Sequence, residues 1–490
     1  MAMIPYREAF APLSSERPPS ALSDPFDEAI AVLPTLLGRL RSEEDARPVV
    51  GRVDPEALEV DLEPPEGPRP WTDVAEDLFR LLRDGPRTTT RAFFNQLFGG
   101  RMGSAVVADM LASFANQSMY TYKVAGPQVL VEEALLARMG ELAGFTTSEG
   151  TFTPGGSLSN LVAIVLARNA AFPEAREEGL RGRTPVIYVS EESHYSIRKS
   201  AGILGLGRSS VRAVSVDARG RLEPGALAAA IRADQAAGLN PFLAVATAGT
   251  TVRGAFDPID RMSEVCRAAG LWLHVDGALG GSLLLSRRGR ELLRGIESAD
   301  SLTWDAHKLL GVPLTASVLL VRHRGALEAA LAEDASYLFH DVAPPRLDPG
   351  HRSLQCGRRN DALKLWAAWQ RHGDTGLAAR MDRCLGLAQA FAERVVARPE
   401  LELIETPPST NVCFDVPGVD LGALVSDLTE AGDAMVGTAE LCGRPVVRWV
   451  AVNPDLELQD LDRFLDALLR HARRRGFASA QPRGLRGAGA

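Results

Sequence analysis

The sequence predicts an α/β protein: a mostly parallel central sheet with helices on both faces, an N-terminal arm, and a small α+β C-terminal domain. Three observations carry this. Between about 150 and 320, short β-branched runs alternate with amphipathic stretches: PVIYV (185–189), VRAVSV (211–216), FLAVAT (242–247), LWLHV (271–275) and SVLLV (317–321). Strand and helix repeated in this way imply parallel strands joined by covering crossovers. A helix lies between the third and fourth runs, with Asp257 as its cap, Pro258 in its first turn and Gly270 after its end. From about 370 helical patterns return, followed by TNVCFDV and VVRWVAV as strands and a helix from Leu458 to Arg473.

The remaining elements follow in order. The first 70 residues are rich in proline and acidic side chains, as in VDLEPPEGPRP at 60–70, and read as an extended arm. Asp73 with Glu76 forms a capping box, Val74, Leu78, Leu81 and Leu82 a helical stripe, and Gly85 a stop. The last 13 residues, ASAQPRGLRGAGA, have little to bury and read as a disordered tail. These shifts divide the chain into an arm and helical segment (1–103), a large domain (104–369), a small domain (370–478) and the tail (479–490).

Composition narrows the function classes. The 490 residues are 46% apolar and 24% charged, and Lys+Arg minus Asp+Glu is 54 − 62 = −8. Nucleic acid and acidic membrane both favour a basic face, so neither is an expected partner. No apolar run reaches the ~18 residues of a membrane span. Arg7 and Glu8 interrupt the N-terminal stretch where a signal peptide needs apolar residues, so a cytoplasmic location is expected. The five cysteines form no CxxC pair, which argues for reduced thiols and against a disulfide framework or a metal site.

Three features carry chemistry. Gly155, Gly156 and Ser157 directly precede the apolar helical run LVAIVLA, a junction whose free amides and dipole suit an anion; an ordinary capped loop is the alternative. The segment is neither GxGxxG nor a Walker loop. Asp276 ends an apolar strand at the edge where ligands bind such sheets, although Asp-Gly is also a turn dipeptide. His307 and Lys308 stand in a stretch otherwise fit for burial. Lost solvation there favours the neutral, nucleophilic amine, unless the lysine snorkels to water. Together these supply what pyridoxal phosphate needs: a phosphate cradle, a partner for the ring nitrogen and a Schiff-base amine.

With SEESHYSIRKSAG, HVDGALGG, DSLTWDAHK and SLQCGRRNDALKLW in place, the chain resembles the group II pyridoxal-phosphate decarboxylases, in the branch of glutamate, aspartate and cysteine sulfinate decarboxylases. The likeness runs from FFNQLFGG (93–100) to VRWVAVNP (447–454). It implies the type I fold of pyridoxal-phosphate enzymes, with Lys308 holding the cofactor, Asp276 on its ring nitrogen and His194 stacked on the ring. It places Gly156 and Ser157 at the phosphate, Thr251 beside the cofactor, and Asp305 and His307 around the lysine. Ala306 replaces the proline that relatives carry between those two.

By the same resemblance Arg448 grips the substrate α-carboxylate and Tyr337, in a closing loop from 334 to 352, returns a proton to the substrate carbon. A homodimer is implied, with active sites at the interface. Gln96 matches a contact to the side-chain carboxylate, while Phe98, Ser118 and Tyr120 follow cysteine sulfinate decarboxylase. Lys123 departs from both relatives, which usually have glutamate there; it is either a solvated lysine on a rebuilt surface or a source of positive potential near the substrate tail. The implied reaction is α-decarboxylation of a short acidic amino acid: aspartate, cysteine sulfinate, cysteate or phosphonoalanine. The alternatives are glutamate or 2,4-diaminobutyrate as substrate, or transamination or oxidative deamination as reaction.

Overall fold

The computed structural model describes residues 26–44, 46–50, 62–333 and 344–476, in two compact units, Met1–Arg87 and Thr88–Ala490. The first unit holds helices at Phe26–Ala31, Leu33–Glu43 and Trp71–Asp84, so residues 26–43, expected to belong to an extended arm, are helical instead. Arg39 bonds both carboxylate oxygens of Glu76, at 2.6 and 3.0 Å, and lies 3.6 Å over the Phe79 ring. Glu76 is thereby drawn into a tertiary pair, and the expected capping box is absent. The helix begins at Trp71 with Pro70 in the cap position, which leaves Asp73 inside the first turn, where its charge meets the dipole. Phe79 and Ala75 are the buried residues, whereas Leu78, Leu81 and Leu82 of the predicted stripe are exposed.

In the second unit seven strands form the main sheet: β1 (Glu149–Thr153), β2 (Pro185–Ser190), β3 (Val211–Val214), β4 (Asn240–Thr247), β5 (Trp272–Asp276), β6 (Ser301–Asp305) and β7 (Ser317–Val321). Their spatial order is β1-β7-β6-β5-β4-β2-β3. From β3 to β6 all neighbours are parallel, while β7 runs antiparallel to both β6 and β1. All five predicted runs are strands. The sequence reading omitted β1 and β6, whose composition is mixed, yet both are buried along their whole length. Their threonines and serines bond to buried side chains, as in Thr153 to Ser159 and Thr303 to Asn160, so low hydropathy hides buried strands.

The helix between β4 and β5 spans Ile259–Ala269 and ends on Gly270 at φ 69. Asp257 does not cap it. Its carboxylate accepts the amides of Leu222 and Thr247 at 2.7 Å each, tying two loops together.

A second sheet, ordered β10-β11-β9-β8, comprises β8 (Glu402–Leu403), β9 (Asn411–Asp415), β10 (Gly437–Leu441) and β11 (Arg444–Val450). The helix Leu458–Arg474 covers it behind a capping box of Glu457 and Asp460. Trp449 stacks on Phe391 at 4.1 Å in the core beneath. Between the two sheets runs the helix Asp361–Val396, broken at Gly373 (φ 61, ψ 178), a conformation any side chain would strain. Among the described residues no helix is long and apolar enough to cross a membrane, and no cysteine forms a disulfide.

Candidate active site

The carboxyl ends of β4, β5 and β6 open into a cleft of about 450 Å³, closed on one side by the N-terminus of the helix Gly156–Ala171. Thr247, Asp276 and Asp305, the last residues of the three strands, all line it. At the helix end Gly155 adopts φ +150. A Cβ on Gly156 would come within 2.9 Å of the Asp305 carboxylate and 3.3 Å of Ala278. Only glycine leaves that space, and the first amides of a helix have no intrahelical partner. With Ser157 they form an anion cradle on the cleft wall.

Across the cleft, Asp276 is buried, accepting from Asn160 Nδ2 at 2.8 Å and from the amide of Ala278 at 3.2 Å. Asp305 is also buried. Its Oδ2 lies 3.6 Å from both Lys308 Nζ and His307 Nε2. The turn between them closes through Lys308 N–H to the Asp305 carbonyl at 3.2 Å, with Ala306 fully buried, so the missing proline does not open it. Lys308 is not sealed in the core: its side chain keeps 22% exposure, facing the cleft.

Both histidines are pushed toward the neutral form by burial, against the pull of nearby carboxylates: Asp305 for His307, Asp276 for His194. His194 Nδ1 accepts the amide of Ser196 at 3.2 Å, which leaves Nε2 as its donor. His307 Nδ1 faces both the carbonyl and the amide of Ala316, at 2.9 and 3.1 Å.

Gly156, Ser157, His194, Thr251, Asp276, Asp305, His307 and Lys308 thus share one cleft. Arg448 sits behind it: its guanidinium donates to the carbonyl of Thr251 at 3.1 Å and to that of Asn95, and its Nε is buried without a partner. Gln96 is exposed and Phe98 half-buried, its ring 6.2 Å from Phe93; of this segment Leu97 reaches the cleft.

Ser118, Tyr120 and Lys123 are absent from the cleft wall. Their segment docks on 348–360, through the amide of Gly350 to the Tyr120 carbonyl and that of Met119 to the Arg358 carbonyl. Tyr337 lies outside the described residues, as do the first 25 and last 14 residues. Sequence reasoning missed Asn160, Leu97, Tyr195 and Leu314 on the wall. A buried asparagine in an otherwise apolar helix was the one available signal.

The wall fits pyridoxal phosphate. It offers an anion cradle, a carboxylate for a ring nitrogen, an amine and a flat imidazole. Asp305 Oδ1 and Thr247 Oγ1 are buried without a protein partner, as expected where a polar ligand supplies one.

Residues 55–417 match the pyridoxal-dependent decarboxylase conserved domain. Cysteine sulfinic acid decarboxylase of Homo sapiens is 43% identical over 370 residues, 74% of each chain. Acidic amino acid decarboxylase GADL1 of Bos taurus is 36% identical over 441 residues, 84% of each chain. The crystal structure of mouse CSAD superposes with a TM-score of 0.87 at 37% identity, covering 92% of this chain and 99% of that one.

Proposed function

The chain belongs to the pyridoxal-dependent decarboxylases and is a carboxy-lyase using pyridoxal phosphate, and from that premise we propose that its substrate is a short acidic L-amino acid, aspartate or cysteine sulfinate. The observation that carries this is the 43% identity to a named cysteine sulfinic acid decarboxylase over 370 residues. The segment carrying Phe98, whose Leu97 reaches the cleft, supports it, because bulk there favours the shorter acid by about 1–3 kcal/mol per methylene.

When bound, pyridoxal phosphate supplies an electron sink for the bond pair left as carbon dioxide departs. In this reading Lys308 holds the cofactor, Asp276 accepts the ring N–H, His194 stacks on the ring, and Thr251, Asp305 and His307 position it. Gly156 and Ser157 hold the phosphate. Arg448, already oriented by two carbonyls, clamps the substrate α-carboxylate through parallel bonds. Gln96, Phe98, Ser118, Tyr120 and Lys123 surround the side chain, and the Tyr337 hydroxyl donates a proton to the α-carbon.

The division into an arm and helical segment, large domain, small domain and tail at 103, 369 and 478 belongs to this reading, as does a cytoplasmic location. So does a homodimer. Ser118, Tyr120 and Lys123 sit off this chain's own cleft wall, and a second copy would bring its set to it. Val107 and Leu111, each 57% exposed on the helix Gly103–Ala115, and Tyr195 at the cleft rim, 68% exposed, offer apolar surface for that contact.

The test is carbon dioxide release from cofactor-loaded protein given aspartate, cysteine sulfinate, cysteate, phosphonoalanine, glutamate and 2,4-diaminobutyrate. Release confined to the short acids is expected. Preference for glutamate or the diamino acid overturns the substrate assignment, and no release from any of them points to transamination or deamination.

A further inference from the structure

From Asp276 and Asn160 on the cleft wall, a chain of polar side chains with a single consistent direction runs back into the protein. The Trp272 indole can only donate, so its Nε1–H, 2.9 Å from Ser301 Oγ, makes that hydroxyl an acceptor. Ser301 then gives its own proton to His274 Nδ1 at 2.8 Å. His274 is left with its proton on Nε2, which donates to Asn160 Oδ1 at 3.0 Å. Thr303 Oγ1 donates to the same oxygen at 2.8 Å. The amide of Asn160 therefore turns its Nδ2 outward, one proton to Ser196 Oγ at 3.0 Å and the other to Asp276 Oδ2 at 2.8 Å.

Every member from Ser301 to Asp276 is buried. Burial also holds His274 in its neutral form, with Asp276 pulling the other way. A neutral His274 is what the chain needs, since a proton on Nδ1 would meet the Ser301 hydroxyl proton.

We propose that His274 and Asn160 are positioning residues for the cofactor: the relay from Trp272 through Ser301, His274 and Asn160 fixes the Asp276 carboxylate so that its remaining lone pairs face the ring nitrogen. The inference rests on the reading of Asp276 as the ring-nitrogen partner. A carboxylate with one flexible torsion could rotate out of line with that nitrogen. Here Oδ2 is held by Asn160 and Oδ1 by the Ala278 amide. Asn160 is itself locked by four bonds, so the carboxylate meets the ring with its orientation already set.

The experiment titrates apoprotein with two ligands, pyridoxal phosphate and its carbocyclic analogue in which the ring nitrogen is replaced by C–H, and reads the ratio of their dissociation constants. Wild-type protein should prefer the natural cofactor, and Asp276→Asn should abolish most of that preference. His274→Phe, which keeps bulk but removes both bonds, should cut the preference about tenfold. His274→Gln, which can still accept and donate, should restore part of it. A merely structural role for His274 would weaken both ligands alike and leave the ratio unchanged, and that outcome overturns the proposal. Should His274→Phe fail to fold, Ser301→Ala takes its place, with a severalfold fall in the ratio expected and an unchanged ratio again overturning the relay. If Asp276→Asn keeps the preference, the reading of the site itself falls. If it loses the preference while the His274 and Ser301 variants do not, only the relay falls.

Discussion

Asp276 and Asp305 end two adjacent strands and are fixed by close neighbours, Asp276 by Asn160 of the helix Gly156–Ala171 and Asp305 by Lys308 in the turn that follows it. Ser118, Tyr120 and Lys123, by contrast, ride on a segment attached to 348–360 by isolated bonds. These are Gly350 to Tyr120, Met119 to Arg358, Tyr122 to Asp348, and Asn360 to Gln128. At its far end Arg358 forks onto both oxygens of Glu132 at 2.8 and 2.6 Å, the pair almost wholly buried. The half that would carry chemistry is preorganised by the sheet, and the half that would choose the substrate depends on one buried ion pair. Reaction and specificity can therefore be perturbed separately.

The strongest way to break that contrast is Glu132→Ala, which leaves Arg358 buried and uncompensated at a cost of about 3–5 kcal/mol. Denaturant unfolding should show that loss. Cofactor affinity should hold while KM rises, and a parallel fall in cofactor affinity would mean that the two halves are one.

A smaller effect probes the cofactor side. Burial pushes the His274 pKa down to about 4, whereas an unfolded chain protonates histidine near 6.5. Between those values the unfolded state binds the extra proton, so this contribution is complete above about pH 6.5 and is lost as pH falls toward 4. It amounts to about 2 kcal/mol between pH 7 and pH 5. Unfolding curves at the two values should show it, with a shallower dependence in His274→Gln.

The smallest effect concerns Lys123, which is exposed. Lys123→Glu should raise KM for aspartate less than about fivefold, more at low salt than high, because exposed charges interact weakly and are screened. KM for a neutral amino acid should not change, and an equal rise for both would remove Lys123 from the substrate side.

What the sequence made legible follows the same division. Strands β2, β3, β4, β5 and β7 announced themselves through β-branched apolar runs, Asp276 through its place at a strand end, and Lys308 through the apolar stretch around it. β1 and β6 did not, because Thr153, Ser301 and Thr303 satisfy their hydroxyls inside the protein and so carry no apolar signature. Glu76 and Asp257 misled as caps because each has a distant partner that outcompetes the local role: Arg39 for one, the amides of Leu222 and Thr247 for the other. Asn160 gains its meaning only when β5 and β6 lie side by side, which no local pattern encodes. Ser118, Tyr120 and Lys123 were visible through family likeness alone, since nothing in their spacing distinguishes them from a surface loop.

The helix Asp361–Val396 sets where such a chain can be cut and rejoined. Its apolar residues through Leu385 belong to the core under the large sheet, and those from Leu387 to Val395 belong to the core under the small one. A splice at Gly373, where the backbone itself changes direction, would hand Leu377, Met381 and Leu385 to the wrong parent. Chimaeras that exchange the small sheet between relatives should therefore join near residue 386, one turn of sequence marking the seam that the visible kink does not.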